Sequence, residues 1–237
     1  RINRRRTADL TELGKAPLRA DESGLEIGAT CTITELYGFA PPADWPAAQL
    51  IRTSCEAFLA SFKVWNAATV GGNICMALPA GPMITLTVAL QAGYRLWAAD
   101  GSERMLPAAE FVVGNNRNVL QPGELLRGVH IPAAALRRRH AHRHFCLTKL
   151  GRSTVFLVGT QDHDTGEVLL TITAATTHPV CLTFDGLPGP GDLAERIDAI
   201  DEAAWFDDAN GTPAHRRHLT RHFAEEIRAE LARDGPR

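Results

Sequence analysis

The alternation of apolar and polar positions predicts a lobe of mixed strands and helices at the start of the chain. Stretches with a two-residue repeat predict half-buried strands, and stretches with apolar residues three or four apart predict amphipathic helices. An Asp-Gly pair between two strand-like runs predicts a hairpin, and a proline is predicted to end a strand because it lacks a backbone donor. The predicted elements are a strand at 25–33, helices at 46–62 and 84–92, a strand at 94–98, a hairpin turn at Asp100-Gly101, a Pro122-Gly123 turn, and a strand at 125–131 ended by Pro132.

The pattern changes after Pro132. Residues 133–144 break the periodicity and carry four arginines and three histidines, which predicts an exposed linker. Strand-like runs follow, with a turn at 164–166 between the second and third, and an Asp192…Glu195 pair resembling a capping box opens the first of two helices. The predicted elements are strands at 145–150, 154–159, 168–174 and 180–184, and helices at 192–204 and 213–231.

The chain is therefore predicted to be an α+β protein in two parts. Residues 1–132 form the first domain, residues 133–144 a linker, and residues 145–237 a second domain with an antiparallel sheet and helices. The chain begins with Arg1 in the middle of a pattern, and we expect a missing N-terminal piece.

Composition narrows the functional classes. Lys and Arg number 25 against 27 Asp and Glu, so no strong field favours nucleic acid or an anionic membrane. No apolar run approaches the about 20 residues that cross a bilayer, and no membrane span is predicted. The five cysteines include no C-x-x-C pair, which predicts buried thiols in a reducing cytoplasm and no iron–sulfur cluster on this chain.

The segment with the most distinctive chemistry runs from Asn66 to Ile74 and contains Thr69-Val70-Gly71-Gly72-Asn73. Adjacent glycines let a backbone approach a ligand closely, and their N–H groups can hold a phosphate or the diphosphate of a dinucleotide. Taken alone, such a pair is more often an ordinary turn. The chain has no G-x-G-x-x-G between strand and helix, so a doubly wound dinucleotide fold is not expected.

Four ordered motifs resemble the FAD-binding medium subunits of the molybdenum hydroxylase family, which includes xanthine and carbon monoxide dehydrogenases. The resemblance covers nearly the whole chain. The motifs are Ile27-Gly28-Ala29-Thr30, the segment from Asn66 to Ile74, Leu120-Gln121-Pro122-Gly123-Glu124-Leu125-Leu126 with Ile131-Pro132, and Lys149-Leu150-Gly151-Arg152.

The resemblance implies an FAD-binding domain of the vanillyl-alcohol oxidase-like (PCMH) type, N-terminally incomplete, and a small C-terminal domain like that of carbon monoxide dehydrogenase flavoproteins. It implies that residues 69–73 bind the diphosphate and ribityl region of FAD, that Leu126 touches the flavin end, and that Lys149 lies beside the isoalloxazine. A lysine there would favour the anionic reduced flavin. The implied cofactor residues are Thr69, Val70, Gly71, Gly72, Asn73, Leu126 and Lys149.

Three departures from the family pattern bear on cofactor binding. The family's first glycine-rich loop is expected upstream of Arg1. Pro82 stands where many members carry an aspartate, and Trp65 stands where an arginine is common. Altered or lost flavin binding is an expected consequence, because Pro82 removes a carboxylate and a backbone donor.

Two histidine groups are candidate metal sites. His140, His142 and His144 would share one face if they lay on a strand, but a solvated linker is preferred to a metal site at about five to one. His215, His218 and His222 include a pair four residues apart, without the H-E-x-x-H glutamate. No catalytic acid, base or nucleophile is assigned.

The resemblance implies an electron-transfer subunit of a molybdopterin-dependent dehydrogenase. Electrons would pass from two-iron two-sulfur clusters on a small partner subunit, through FAD on this chain, to an acceptor. The molybdopterin would be bound by a large partner subunit. Two alternatives stay open: a non-catalytic assembly subunit that has lost FAD, and a free-standing flavin reductase or oxidase.

Overall fold

A computed structural model of the chain describes residues 17–148 and 151–233. These residues form four layers: an antiparallel sheet, a helical layer, a second antiparallel sheet, and an outer helical layer. The first part of the chain supplies β1 (Leu18–Asp21), β2 (Gly24–Gly28), α1 (Ile33–Tyr37), α2 (Gln49–Ala57), α3 (Phe62–Trp65), α4 (Val70–Met76), α5 (Pro82–Ala89), β3 (Gly93–Trp97), β4 (Glu103–Pro107), β5 (Val112–Gly114), β6 (Arg117–Asn118) and β7 (Leu125–Pro132).

The first sheet has the strand order β1-β2-β7-β3-β4, with all neighbours antiparallel. Its inner face carries Leu25, Ile27, Tyr94 and Val129 into the main core, where each is at most 1% exposed. Its outer face carries mostly polar side chains. The alternation that predicted these strands therefore corresponds to one buried and one open face. The predicted turn at Asp100-Gly101 connects β3 to β4, and Gly101 has a φ of +84°.

Helix α5 lies in the middle of the molecule. All eight of its residues are buried, as expected of a helix whose only polar side chains are two threonines. It packs on α2 and α4 within its own layer and on two strands of the second sheet. The hydroxyls of its two threonines form hydrogen bonds within the protein. Thr87 Oγ1 donates to the Met83 carbonyl at 2.7 Å, and Thr85 Oγ1 lies 2.7 Å from Thr173 Oγ1.

The second part of the chain forms the other two layers. Its sheet has the order β11-β10-β9-β8, and its longest helix packs against β8 and β9. One face of this sheet belongs to the main core and the other to a second core beneath the outer helices. The elements are α6 (Ala133–Leu136), β8 (Arg139–Cys146), β9 (Ser153–Gln161), β10 (Val168–Thr173), β11 (Val180–Phe184), α7 (Pro190–Asp198) and α8 (Pro213–Arg233).

The prediction of an exposed linker at 133–144 is wrong. These residues form α6 and most of β8, and β8 pairs with β9 along its whole length. Arg139 donates to the Leu231 carbonyl at 3.0 Å, and Arg143 lies 2.9 Å from Glu230. The local sequence does not reveal this, because the partners of Arg139 and Arg143 on α8 are more than 80 residues away in the chain.

Two helix predictions also need correction. The helix predicted over 46–62 is a 3₁₀ turn, α2, and the short α3, because the chain leaves the helical conformation at Phe58. The Phe58 carbonyl there accepts the Trp65 indole N–H at 3.1 Å. The helix predicted from Asp192 begins at Pro190 after Gly189, and no side chain caps it. Proline is favoured at a first helical position, where its missing N–H has no partner to lose.

Throughout residues 17–148 and 151–233, every helix is too short or too polar to cross a membrane.

Candidate functional site

The segment predicted to bind the cofactor forms the start of α4. Thr69 is the N-cap: its backbone is extended, and its Oγ1 accepts a hydrogen bond from the Gly72 N–H at 3.0 Å. Threonine is a favoured N-cap because its hydroxyl satisfies a donor that the helix itself cannot. The structural role of the segment from Thr69 to Asn73 is therefore to cap and begin helix α4.

The backbone donors of residues 70–73 are all bound within the protein. The Val70 N–H donates to the Cys31 carbonyl at 2.8 Å, and the Gly71 N–H donates to the Ala29 carbonyl at 2.9 Å. The Asn73 N–H donates to the Thr69 carbonyl at 3.0 Å. The Gly72 N–H is bound by the cap, so these groups do not form an open phosphate cradle. The expectation that the glycine pair offers free N–H groups to a phosphate is therefore wrong.

Gly71 is required by packing against the chain itself. A Cβ at this position would lie 2.7 Å from both the Cβ and the carbonyl oxygen of Ala29. Gly72 differs, because it is exposed and a Cβ there would meet only Thr69 Oγ1, at 3.0 Å. The two glycines thus have different roles: Gly71 lets α4 contact the loop after β2, and Gly72 presents bare backbone at the surface.

Asn73 and Pro82 connect α4 to α5. The Asn73 Oδ1 accepts the Met83 N–H at 3.0 Å, which satisfies a donor in the first turn of α5. Pro82 occupies the first position of that helix and is buried. Among the described residues, Pro82 is therefore part of the packing between helices rather than of an exposed surface.

The other two predicted cofactor residues are placed differently. The Leu126 side chain points into the main core and is 3% exposed, on a strand that neighbours α4. Lys149 lies outside the described residues, and its predicted role beside the isoalloxazine stays a prediction.

A cavity of about 340 Å³ opens on the outer face of the first sheet. Its floor is bare because Gly28 on β2 is paired directly with Gly128 on β7, so two neighbouring strands present no side chain there. Gly128 is paired in turn with Arg95 on β3, whose side chain lines the wall. Gly28 directly precedes Ala29, the residue on which Gly71 packs. The cavity therefore adjoins the predicted cofactor segment through one residue.

Arg127 reaches the outer face because β7 has a bulge. The pairing of β7 with β3 shifts between Arg95 and Leu96, so Arg127 is an extra residue that strict alternation would direct inward. Bulges commonly re-aim a side chain in this way. The Arg127 guanidinium lies 4.7 Å above the Trp97 ring and lines the cavity, and the residue is 7% exposed. Within the described part of the chain, its Nε has no hydrogen-bond partner and the guanidinium forms no ion pair.

The remaining charges around the cavity are mutually engaged. Glu26 Oε1 lies 3.4 Å from Arg95 Nη2 and 3.0 Å from His130 Nδ1. Arg19, on the edge strand, lies 3.2 Å from Asp21. Three arginines and one glutamate thus line the cavity, and its net charge is positive.

Sequence reasoning missed this cavity, although one signal was present. Arg127 stands in the run Leu125-Leu126-Arg127-Gly128-Val129, where a charged residue interrupts an otherwise apolar strand. A charged residue in the phase of a buried strand indicates either a bulge or a buried site, and the adjacent glycine favours the bulge.

The two histidine groups lie on β8 and α8. Among the residues that the structure describes, no three His, Cys, Asp or Glu side chains are arranged to hold a metal ion. His140, His142 and His144 do share one face of β8, opposite Thr160, Val158 and Phe156 on β9. His222 on α8 lies 3.1 Å from Glu226.

An antiparallel sheet covered by helices, with a threonine-capped glycine pair beside it, is the α+β arrangement expected from the four motifs. The sequence profile of the FAD binding domain in molybdopterin dehydrogenase matches residues 6–134, more than half of the 237 residues. The chain belongs to this family, and the resemblance inferred from the motifs is confirmed.

Curated relatives agree with that membership. The chain is 31% identical over 121 residues to xanthine dehydrogenase of Oryza sativa subsp. japonica, a match that covers 48% of this chain and 9% of the relative. It is 30% identical over 126 residues to the carbon monoxide dehydrogenase medium chain of Afipia carboxidovorans, covering 52% of this chain and 42% of the relative. The matched segments thus span less than half the length of these relatives.

Solved structures show the same fold over most of the chain. The cyanide-inactivated Cu,Mo-CO dehydrogenase superimposes with a TM-score of 0.74 at 21% identity, covering 90% of this chain and 78% of that chain. Quinoline 2-oxidoreductase from Pseudomonas putida 86 superimposes with a TM-score of 0.72 at 18% identity, covering 91% and 77%. The predicted fold class is confirmed.

Proposed function

We propose that this chain is the FAD-binding electron-transfer subunit of a molybdopterin-dependent dehydrogenase in the cytoplasm. The observation that carries the proposal is the match of the FAD-binding family over residues 6–134, which contains the capped start of α4. The proposed partners are a large molybdopterin-binding subunit and a small subunit with two-iron two-sulfur clusters. The similarity to a carbon monoxide dehydrogenase medium chain supports this arrangement.

FAD, when bound, supplies the capacity to take up and release electrons. The residues of this chain have the tasks of holding and orienting it. Gly72 and Thr69 offer the accessible surface at the start of α4, and the proposal retains both as cofactor contacts. In this proposal Leu126 supports the site from below, because its side chain is packed in the core beneath the strand. Lys149 is retained as the residue that adjusts the electron affinity of the cofactor.

The proposal is tested on the full-length protein by flavin release and absorption spectroscopy. We expect about one FAD per chain. Gly72→Asp should weaken FAD binding at least tenfold, because it adds a carboxylate to the surface where an anionic cofactor would lie. Gly72→Ala is the matched control and should retain FAD. Equal FAD content in Gly72→Asp and the wild type would remove residues 69–73 from the site.

Partner binding is tested separately, by co-purification of the tagged full-length protein from its source. Stoichiometric molybdopterin and iron–sulfur subunits are the expected result. FAD bound to a chain that purifies alone would instead favour the free-standing flavin reductase or oxidase.

One observation favours a second function, a non-catalytic assembly subunit without FAD. The N–H groups of residues 70–73 are all engaged within the protein, and Pro82 is a buried packing residue. No FAD uptake by the full-length protein, even with excess FAD, combined with intact assembly of the partner subunits, would establish this alternative.

A further inference from the structure

The cavity on the outer face of the first sheet contains a charge that the described residues leave without a partner. Arg127 is 7% exposed, yet within residues 17–148 and 151–233 its guanidinium has no ion pair and its Nε no hydrogen bond. A buried cation without an anion is unfavourable, because the lost hydration is not replaced. The face of Trp97, 4.7 Å away, compensates in part through a cation–π contact.

The side chain is held in position without being neutralised. The bulge in β7 directs it outward, and the Trp97 ring orients the plane of the guanidinium. Arginine offers a planar set of donors that suits two oxygens of one phosphate group. This arrangement is a preformed donor group with no acceptor among the described residues.

The rest of the cavity is suited to an anion of moderate size. The paired glycines Gly28 and Gly128 leave the floor open, so a ligand can lie against the sheet backbone. Arg95 and Arg19 line the walls and are each paired with a carboxylate, Glu26 at 3.4 Å and Asp21 at 3.2 Å, which leaves Arg127 as the lining arginine without an ion pair among the described residues. The volume of about 340 Å³ accommodates a phosphate or diphosphate group.

We propose that this cavity is an anion site that takes a phosphate or diphosphate group, with Arg127 as the residue that binds it. The group has two possible sources. One is the diphosphate of the dinucleotide cofactor, since the cavity adjoins the α4 segment through Gly28 and Ala29. The other is a separate phosphate-bearing ligand. The proposal rests on the cavity and does not depend on the function proposed above.

The test is calorimetric titration of the full-length protein with inorganic pyrophosphate at low ionic strength. Arg127→Met removes the charge but retains an unbranched stem over Trp97, and should weaken pyrophosphate binding at least tenfold. Arg127→Lys, which keeps the charge and loses the planar donors, should show intermediate affinity and covers the case in which Arg127→Met does not fold. Arg104→Gln is the matched control, because Arg104 is exposed and paired with Glu124 at 2.8 Å; its affinity should stay within twofold of the wild type.

Two results would overturn the proposal. The first is the absence of pyrophosphate binding, or equal binding by the wild type and the Arg127 variants. The second is a carboxylate of this chain as the natural occupant. Asp9 and Glu12 are the carboxylates of residues 1–16, which lie outside the described residues. If one of them were the occupant, Arg127→Met and the double variant Asp9→Asn/Glu12→Gln would each lower the melting temperature by a similar amount, whereas removal of an unpaired buried charge should not lower it.

A competition titration identifies the source of the group. Exclusion of pyrophosphate by saturating FAD would assign the cavity to the diphosphate of the cofactor, and simultaneous binding would assign it to a separate ligand. Both results support the anion site. Arg127-dependent pyrophosphate binding by a protein that takes up no FAD would reject the flavoprotein function and leave the anion site standing.

Discussion

At the scale of single residues, the two glycines of the α4 segment are chemically alike but have separate roles. Gly71 is in contact with Ala29, where a Cβ would lie 2.7 Å from two atoms, while Gly72 is exposed. The sequence identified the pair as a special backbone position. The structure decides that one glycine is needed for contact within the chain and that the other is exposed at the surface.

This difference is measurable by urea unfolding. Gly71→Ala should lower the free energy of unfolding by roughly 2 kcal/mol or more, because α4 must move away from the loop after β2. Gly72→Ala should change it by less than about 1 kcal/mol, since only the threonine hydroxyl must adjust. Equal effects of the two substitutions would contradict the packing role of Gly71.

The histidines on β8 make stability depend on pH. Burial lowers the pKa of His140 to about 4, and the neighbouring His142 acts in the same direction. The unfolded chain takes up a proton near the usual pKa of 6.5, whereas the folded protein does so only near 4. The contribution of neutral His140 to the free energy of unfolding is therefore fully present above pH 6.5 and is lost as the pH falls toward 4.

We expect His140→Gln to reduce the loss of unfolding free energy between pH 6.5 and 4 by roughly 2 kcal/mol, allowing for partial exposure. Melting temperatures across this pH range provide the measurement. His163→Gln, at a side chain that is 73% exposed, is the control and should leave the slope unchanged. An unchanged slope in His140→Gln would show that this residue is not responsible.

At the scale of elements, α8 is anchored by a buried cation. Arg216 is 1% exposed and donates to the carbonyl oxygens of Thr154 and Ala174, at the ends of β9 and β10. It also forms an ion pair with Asp208 in the turn before the helix. The helical periodicity predicted an apolar face from Leu219 to Leu231 and so located α8. It did not reveal that a charged residue in the first turns attaches α8 to the sheet.

Arg216→Met should lower the free energy of unfolding by about 3–5 kcal/mol, because Asp208 and two buried carbonyls lose their partner. Arg221→Gln, on the same helix but 48% exposed and paired with Asp198, should cost about 1 kcal/mol or less. Chemical denaturation of both variants is the measurement. A cost for Arg216→Met as small as that of the control would mean that solvent replaces the lost contacts.

At the scale of the whole molecule, the second sheet belongs to both cores. Phe156 and Val158 on β9 face the main core, while Val155 and Leu157 on the same strand face the second core. The Ala174 N–H also donates to the Pro79 carbonyl at 2.9 Å, which connects the end of β10 to the loop before α5. The division into domains at residues 132 and 145 stays a prediction, but the packing across it is continuous.

Because β9 serves both cores, calorimetry of the full-length protein should show residues 17–233 unfolding in one transition. Phe156→Ala should lower the free energy of unfolding by about 3–5 kcal/mol and shift that transition without splitting it. Val113→Ala, at a side chain that is 46% exposed, is the control and should have little effect. Two separate transitions in the Phe156 variant would show that the cores unfold independently.

The sequence by itself determined the features that depend on near neighbours. The hairpin at Asp100-Gly101, the mostly apolar helix α5 and the strands β9–β11 are all local patterns, and each was found near its predicted place. Periodicity identifies such elements because it reports which side of a strand or helix is buried.

Only the tertiary structure decided where polar groups find their partners. The N–H groups of Val70 and Gly71 bind the loop after β2, the arginines of β8 bind α8, and a bulge directs Arg127 outward onto a cavity floored by two paired glycines. These outcomes depend on residues brought together from distant parts of the chain. The sequence around a polar side chain does not specify which distant group will form its hydrogen bond or ion pair.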